Sequence, residues 1–366
     1  MAQASMNRKN SLSINTEGSV DSSFDLWNEV DRGDVFRMGD LAIHSTGVVK
    51  EGEKKEFTVV YEDLVIGDII GRGCSSVVVR ATHAGTNTPL ALKIINMFDK
   101  SKRDQLIREI RALYNANCDS LIKFYGAFYR EGAITIALEY MDGGSMQNIL
   151  HQVGPMPEWV LASITYQILW GLAYMKHDKR VHRDIKPSNL LINSLGTVKV
   201  SDFGVSAELQ NSIAMCGTFV GTFKYMSPER MKSEKYSYSS DIWSLGLVIM
   251  ECATGEYPYQ EEKTAIGMVQ TIVESDTPHL DATKFSSEFC QFIDCCLQKQ
   301  PDARLPAEAL LGSPWMAKWG ATGLQVAKAN LRPGHLLISS SRHCQRPLSL
   351  KTPLAQEPLL FFGYGL

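Results

Sequence analysis

The chain has 366 residues, 44% of them apolar, and a formal net charge of −3. That length exceeds the usual single-core size, so two lobes or domains plus tails are expected. The charge balance excludes a dedicated nucleic-acid or anionic-membrane binder. The eight cysteines (Cys74, Cys118, Cys216, Cys252, Cys290, Cys295, Cys296 and Cys344) form no CxxC pair and no zinc-spaced Cys/His cluster, which points to a reducing compartment. With no bilayer-length apolar run, no apolar signal core and Ala2 where an N-myristoyl glycine would stand, a soluble cytoplasmic protein without membrane insertion is expected, passage to the nucleus being left open.

Residues 1–63 are rich in Ser, Asn, Asp and Gly with scattered hydrophobes, too few for a core of their own, and read as a flexible tail. Within it Arg8 and Lys9 precede Leu12 and Ile14. In an extended peptide residues two apart point the same way, so the two cations suit an acidic patch while the two apolar side chains enter a groove. The other reading is a solvated, slightly basic tail.

From Leu64 to Ile70 the chain reads as a strand, followed by Gly71-Arg72-Gly73-Cys74-Ser75-Ser76-Val77-Val78 as a Gly-rich turn into a second strand. Such glycines let backbone N–H groups close over phosphates. A strand after the glycines, in place of a helix, argues against a dinucleotide-binding turn. Pro89 to Ile95 is a strongly apolar strand carrying the single cation Lys93, which needs a buried anion or costs stability. Lys102 to Tyr114 has helical spacing, with Leu106, Ile107, Ile110 and Leu113 on one side and Glu109 beside that stripe. Strands follow at Leu121 to Tyr129 and Ala133 to Glu139, and Tyr140 to Ser145 breaks the pattern as a connection between lobes would.

Trp159 to Lys176 is an amphipathic helix leading into Val181-His182-Arg183-Asp184-Ile185-Lys186-Pro187-Ser188-Asn189. Leu190 to Asn193 and Thr197 to Val200 then alternate around a turn ending in Gly196, which reads as a hairpin. A hairpin brings its ends together, so Asp184 and Asn189 should sit beside Asp202. Two carboxylates and an amide oxygen in one small volume suit Mg²⁺ with a phosphate attached. Asp241 to Thr254 is almost wholly apolar, as a buried central helix would be, and Ser287 to Gln298 and the turn Lys299 to Arg304 follow. Nothing after about residue 317 shows a sustained period, so 317–366 is read as a tail without fold.

Asp184 to Asn189, Asp202-Phe203-Gly204 and Ser227-Pro228-Glu229, in this order and spacing, resemble the eukaryotic protein kinase domain over residues 64–316, a signature set that is a worked example of phosphoryl transfer. The resemblance implies an α+β bilobal fold, with an antiparallel N-lobe at 64–139 and a mainly helical C-lobe at 142–316. It implies Asp184 as the base, Lys186 as a charge on the transferred phosphoryl group, Lys93 paired with Glu109, and Asn189 and Asp202 as Mg²⁺ ligands. The implied ATP site is lined by Ile70, Gly71, Gly73, Ser76, Val78, Ala91, Lys93, Leu138, Glu139 and Met141, with Ser76 replacing the usual third glycine. Arg304 is implied to pair with Glu229.

Gly143-Gly144-Ser145-Met146, Gly204-Val205-Ser206, and Phe219-Val220-Gly221-Thr222 followed by Tyr225 to Arg230 narrow the resemblance to the MAP kinase kinases. Phosphosites are then implied at Thr218 and, in the plant-type S-x5-T spacing, Ser212; the animal-type position holds Ala214. The implied partners are a MAP kinase substrate, held by Arg8, Lys9, Leu12 and Ile14, and an upstream MAP kinase kinase kinase. The competing readings are a Ser/Thr kinase one level higher or of the germinal-centre type, and a pseudokinase scaffold. The scaffold would require a missing Lys93, Asp184, Asn189 or Asp202, and none is missing.

Overall fold

A computed structural model describes residues 35–38, 41–45, 47–50, 59–73, 76–96, 100–202, 223–259, 262 and 264–332. The candidate docking residues Arg8, Lys9, Leu12 and Ile14 and the candidate phosphosites Ser212 and Thr218 lie outside them.

The N-terminal lobe is an antiparallel five-stranded sheet built from β4 (Leu64–Arg72), β5 (Ser76–His83), β6 (Thr88–Asn96), β7 (Phe124–Arg130) and β8 (Ala133–Glu139), in the order β4-β5-β6-β8-β7. Strand periodicity decides which side chain goes where. On β6, Leu90 and Leu92 are buried in an outer core with Val79, Ala81 and Phe128, while Ile95 is buried on the opposite side. Lys93, two residues from Ile95, therefore projects from the inner face. Helix α1 (Lys100–Asn115) packs there through Leu106, Ile110 and Leu113, as its apolar stripe requires.

The C-terminal lobe begins with α2 (Met146–Val153) and α3 (Glu158–His177), followed by the hairpin β9 (Leu190–Ile192) and β10 (Val198–Val200). The tight turn of that hairpin needs Gly196 at φ 77°, where an added Cβ would also collide with the Lys328 carbonyl. After α4 (Pro228–Met231), helix α5 (Tyr238–Thr254) runs through the centre with Trp243, Leu245, Leu247, Val248 and Ile249 buried, so its apolarity on all sides is explained by burial on all sides. Helices α6 (Ala265–Glu274), α7 (Ser287–Cys296), α8 (Ala307–Leu311) and α9 (Pro314–Lys318) complete the lobe. Among the described residues no helix is long and apolar enough to cross a membrane.

Two regions read as tails are structured. Residues 35–50 form an antiparallel three-stranded meander, β1 (Val35–Met38), β2 (Leu41–His44) and β3 (Val48–Lys50), which places Ile43 and Val48 in the main core. Three strands of 4, 4 and 3 residues are too small to enclose a core of their own, and they share the one they meet against the N-lobe strand β7. At the other end α10 (Leu324–Asn330) packs on α3, with Ala321, Ala327 and Leu331 buried. The helix is only 7 residues long, too short to leave a periodic signal, and the described C-terminal lobe runs on to Arg332.

Candidate active site

Lys93 stands on the central strand β6, paired across to Val78 on β5 and Ile136 on β8, so its backbone is held from both sides. Its Nζ donates to Glu109 Oε1 at 2.8 Å and to Asp202 Oδ1 at 2.9 Å. Burial works against this ammonium, yet the carboxylates of Asp202 and Glu109 outweigh it and carry the Lys93 pKa upward. The Lys93 charge in turn holds the Asp202 carboxyl below its ordinary range, while burial raises Glu109. The buried anion that a lone lysine in an apolar strand requires is thus supplied twice.

Opposite this triad the chain from His182 to Asn189 is locked by hydrogen bonds. The buried Asp241, in the first turn of α5, accepts the backbone N–H groups of His182 and Arg183 at 2.8 Å each. The Asp184 N–H donates to His182 Nδ1 at 3.2 Å, so the ring proton sits on Nε2 and is donated to the Ser201 carbonyl at 2.9 Å. One imidazole therefore ties the loop to the residue preceding Asp202. Arg183 (φ 74°) and Asp202 (φ 56°) are both non-glycine residues in the left-handed region, a strained backbone that such tethers sustain.

The Asp184 carboxylate Oδ2 accepts from Asn189 Nδ2 at 2.9 Å and lies 2.7 Å from Lys186 Nζ. Asn189 Nδ2 also donates to the Asp184 carbonyl at 2.8 Å, and the Ser201 N–H donates to the Asn189 carbonyl at 2.9 Å. The hairpin closes: the Asn189 carbonyl, just before β9, takes the N–H of Ser201, just after β10, and the next residue, Asp202, meets Lys93.

The other residues expected at the nucleotide site lie on the strands and Gly-rich turn of the N-terminal lobe and on the connection that follows them. Gly73 N–H donates to the Ser76 carbonyl at 2.8 Å across the Gly-rich turn, and a Cβ on Gly73 would come within 3.0 Å of Ser76 Oγ. Gly71 pairs with Val78, and Ala91 with Leu138, while Ile70 is exposed and Leu138 and Met141 are buried. Glu139 follows Leu138 at the end of β8, where the lobes connect. Arg304 and Glu229 form the expected bidentate pair, 2.8 Å on each arm.

Three contributors escaped the sequence reading. Asp241 was legible only as an acid heading an apolar helix. Lys199 on β10 joins Glu139 Oε2 at 2.8 Å and the Leu121 carbonyl at 3.2 Å; a buried lysine in the strand before Asp202 was the available signal. Arg230 donates to the Arg183 carbonyl, and the guanidinium groups of Arg183 and Arg230 stand 5.3 Å and 5.5 Å from the Tyr236 ring centre.

An ammonium held between two carboxylates, facing a carboxylate–lysine–asparagine cluster across a cleft between a sheet lobe and a helical lobe, defines a protein kinase, and residues 64–316 match the protein kinase domain family. The chain is 49% identical to mitogen-activated protein kinase kinase 3 of Arabidopsis thaliana over 78% of its length, spanning 56% of that protein. It is 40% identical to mitogen-activated protein kinase kinase 2 of the same plant (80% of this chain, 85% of that one). It is 38% identical to the dual specificity mitogen-activated protein kinase kinase dSOR1 of Drosophila melanogaster (82% and 81%). The chain belongs to the MAP kinase kinase family of protein kinases, a family that works with ATP and a divalent metal.

Proposed function

We propose that this chain transfers the γ-phosphoryl group of ATP to a threonine and a tyrosine hydroxyl in the activation loop of a MAP kinase. The observation that carries this reading is the convergence of the Lys93–Glu109–Asp202 triad with the Asp184–Lys186–Asn189 cluster. Lys93, fixed by Glu109, positions the α- and β-phosphates. Lys186 and Asn189 occupy Oδ2 of Asp184, leaving Oδ1 to take the proton of the attacking hydroxyl. Lys186 also offers charge to the transferred phosphoryl group.

The donor set fits Mg²⁺ as the metal. Asn189 commits its amide nitrogen to Asp184, which leaves the amide oxygen, with the Asp202 carboxylate, as a hard donor pair to be completed by phosphate oxygens. When bound, the ion supplies neutralisation of phosphate charge.

Activation follows from phosphorylation of Ser212 and Thr218 by an upstream MAP kinase kinase kinase. Support comes from the cation pair beside the catalytic loop: Arg183 Nε is buried without a hydrogen-bond partner among the described residues, and Arg230 adjoins it. A phosphate adds roughly −1.5 to −2 charge, which such a pair would receive. The tail residues Arg8, Lys9, Leu12 and Ile14 dock the substrate.

The test is phosphosite mapping by mass spectrometry on a catalytically dead MAP kinase, with Asp184→Asn as control. Phosphate on both the threonine and the tyrosine is expected, and phosphate on serine or threonine alone would overturn the dual specificity. Alanine at both Ser212 and Thr218 should block activation by the upstream kinase, and Ala214→Ser should change little.

A further inference from the structure

The matched kinase domain begins at residue 64, yet the meander at 35–50 contributes to the core behind the catalytic pair. Its geometry is specific. Ile43 on β2 is the direct register partner of Val48 on β3, so both side chains leave the hairpin on one face. A bond from His44 N–H to the Gly47 carbonyl at 2.7 Å closes the turn between them. Ile43 is fully buried and Val48 is 5% exposed. β2 and β3 lie against β7, the edge strand of the five-stranded sheet.

The sheet has two faces with separate cores. The outer core holds Val59, Leu64, Leu90, Leu92 and Phe128. Ile43 and Val48 belong to the main core, which runs on into the C-terminal lobe and also contains Leu106, Ile110 and Leu113 of α1. The meander reaches the helix that carries Glu109 by way of β7, which touches both. Packed interiors transmit displacement because they contain few voids, so a lost side chain at one flank of that core is felt by its neighbours.

We propose that Ile43 and Val48 are positioning residues for the reaction: they buttress α1 from outside the kinase domain and thereby hold Glu109 on Lys93. The proposal rests on the reading of the Lys93–Glu109 pair as the nucleotide anchor. A displacement of the order of 1 Å in such a pair lowers the rate by up to about 10²-fold.

The experiment uses the full chain and measures kcat and KM for ATP on a generic protein substrate at a temperature well below the melting transition. The variants are Ile43→Ala, Ile43→Val, Val48→Ala and Glu109→Gln, with Ile43→Ala/Glu109→Gln as the double. Ile43→Ala should lower kcat/KM for ATP by about 10-fold, with Ile43→Val restoring most of it. In the Glu109→Gln background Ile43→Ala should add less than about 2-fold, because the position it protects is already lost. Full additivity, or Ile43→Ala and Val48→Ala proteins that melt earlier yet keep normal ATP kinetics, would overturn the proposal and leave the meander a stabilising element only. Should Ile43→Ala fail to fold, Ile43→Val and Val48→Ala decide the matter with the same signs. If Glu109→Gln itself left ATP kinetics unchanged, the anchor reading would fall, an outcome distinct from failure of the buttress.

Discussion

Among the described residues, the Arg304–Glu229 and Lys93 ion-pair centres are built from the same chemistry and differ in how completely their hydrogen-bonding capacity is used. At Arg304–Glu229 the arginine is fully buried and the glutamate 2% exposed. Every arm of the guanidinium is spent: Nη1 and Nη2 on the two Glu229 oxygens, and the rest on the carbonyls of Gln298, Ser239 and Lys299. Glu229 Oε1 also accepts from Ser240 Oγ at 2.6 Å. At Lys93 the ammonium is shared between two carboxylates, one of them, Asp202, 38% exposed toward the cleft. A saturated pair has nothing left to offer a ligand and ties α4 to the turn before α8. An unsaturated pair facing solvent can exchange a partner, which nucleotide binding demands.

The largest effect expected from this contrast is on stability. Arg304→Met leaves the Glu229 carboxylate buried without a counter-charge, a loss of about 3–5 kcal/mol in denaturant unfolding. Replacing both members by apolar residues should recover much of it. Burial alone would raise the Glu229 carboxyl, but the hydrogen bonds and charge of Arg304 outweigh it and hold it below the ordinary carboxylate range. Because its folded pKa is depressed, its contribution is present above the unfolded carboxylate pKa and is lost as pH falls through the folded value. Melting temperature should therefore decline on acidification in the wild type, and more shallowly in Glu229→Gln.

Next in size is Lys93→Met, which should lower turnover by about 10²- to 10³-fold, the range for removing one preorganised charge donor. Its stability should change less than that of Arg304→Met. Asp202 is open to water, and Glu109, already raised by burial, can take up a proton once its partner is gone. Equal destabilisation by the two substitutions in parallel melts would abolish the distinction between a structural and an exchangeable pair.

The same contrast explains what the sequence could disclose. Lys93, Asp184, Asn189 and Asp202 were legible because short-range order fixes them: a cation alone in an apolar strand, and a hairpin whose ends must meet. Arg304–Glu229 was reached only through the family resemblance, since its partners are joined by no local pattern. Asp241 and Lys199 were missed for a related reason, as their partners are backbone groups and a lobe connection distant in sequence. The meander and α10 were missed because each is short and relies on another element's core, so neither carries a pattern long enough to stand by itself.

Between the two extremes lies Lys199–Glu139. The lysine is 10% exposed and the glutamate 23%, with 2.8 Å between Lys199 Nζ and Glu139 Oε2. Lys199 Nζ also reaches the Leu121 carbonyl, and Glu139 Oε2 accepts the Lys123 N–H at 3.3 Å. One ion pair thereby joins the lobe connection, the loop leading into β7, and the strand that ends just before Asp202. Neither member is as exposed as Asp202 or as buried as Arg304, so substitution should register in both stability and catalysis, weakly in each. Lys199→Met removes both of its donations and should cost about 1–2 kcal/mol, because the carboxylate left behind can be rehydrated. It should also lower kcat/KM for ATP about 3- to 10-fold, as Asp202 and the lobe connection lose their common tie. Glu139→Gln keeps an acceptor for the Lys123 N–H and for Lys199 and forfeits only the charge, so its effect should be the smallest of the series, under about 1 kcal/mol. Paired unfolding and ATP-kinetics measurements on these two variants check the ranking. A Lys199→Met protein as unstable as Arg304→Met would mean that neither burial nor the completeness of hydrogen bonding sets the value of these pairs.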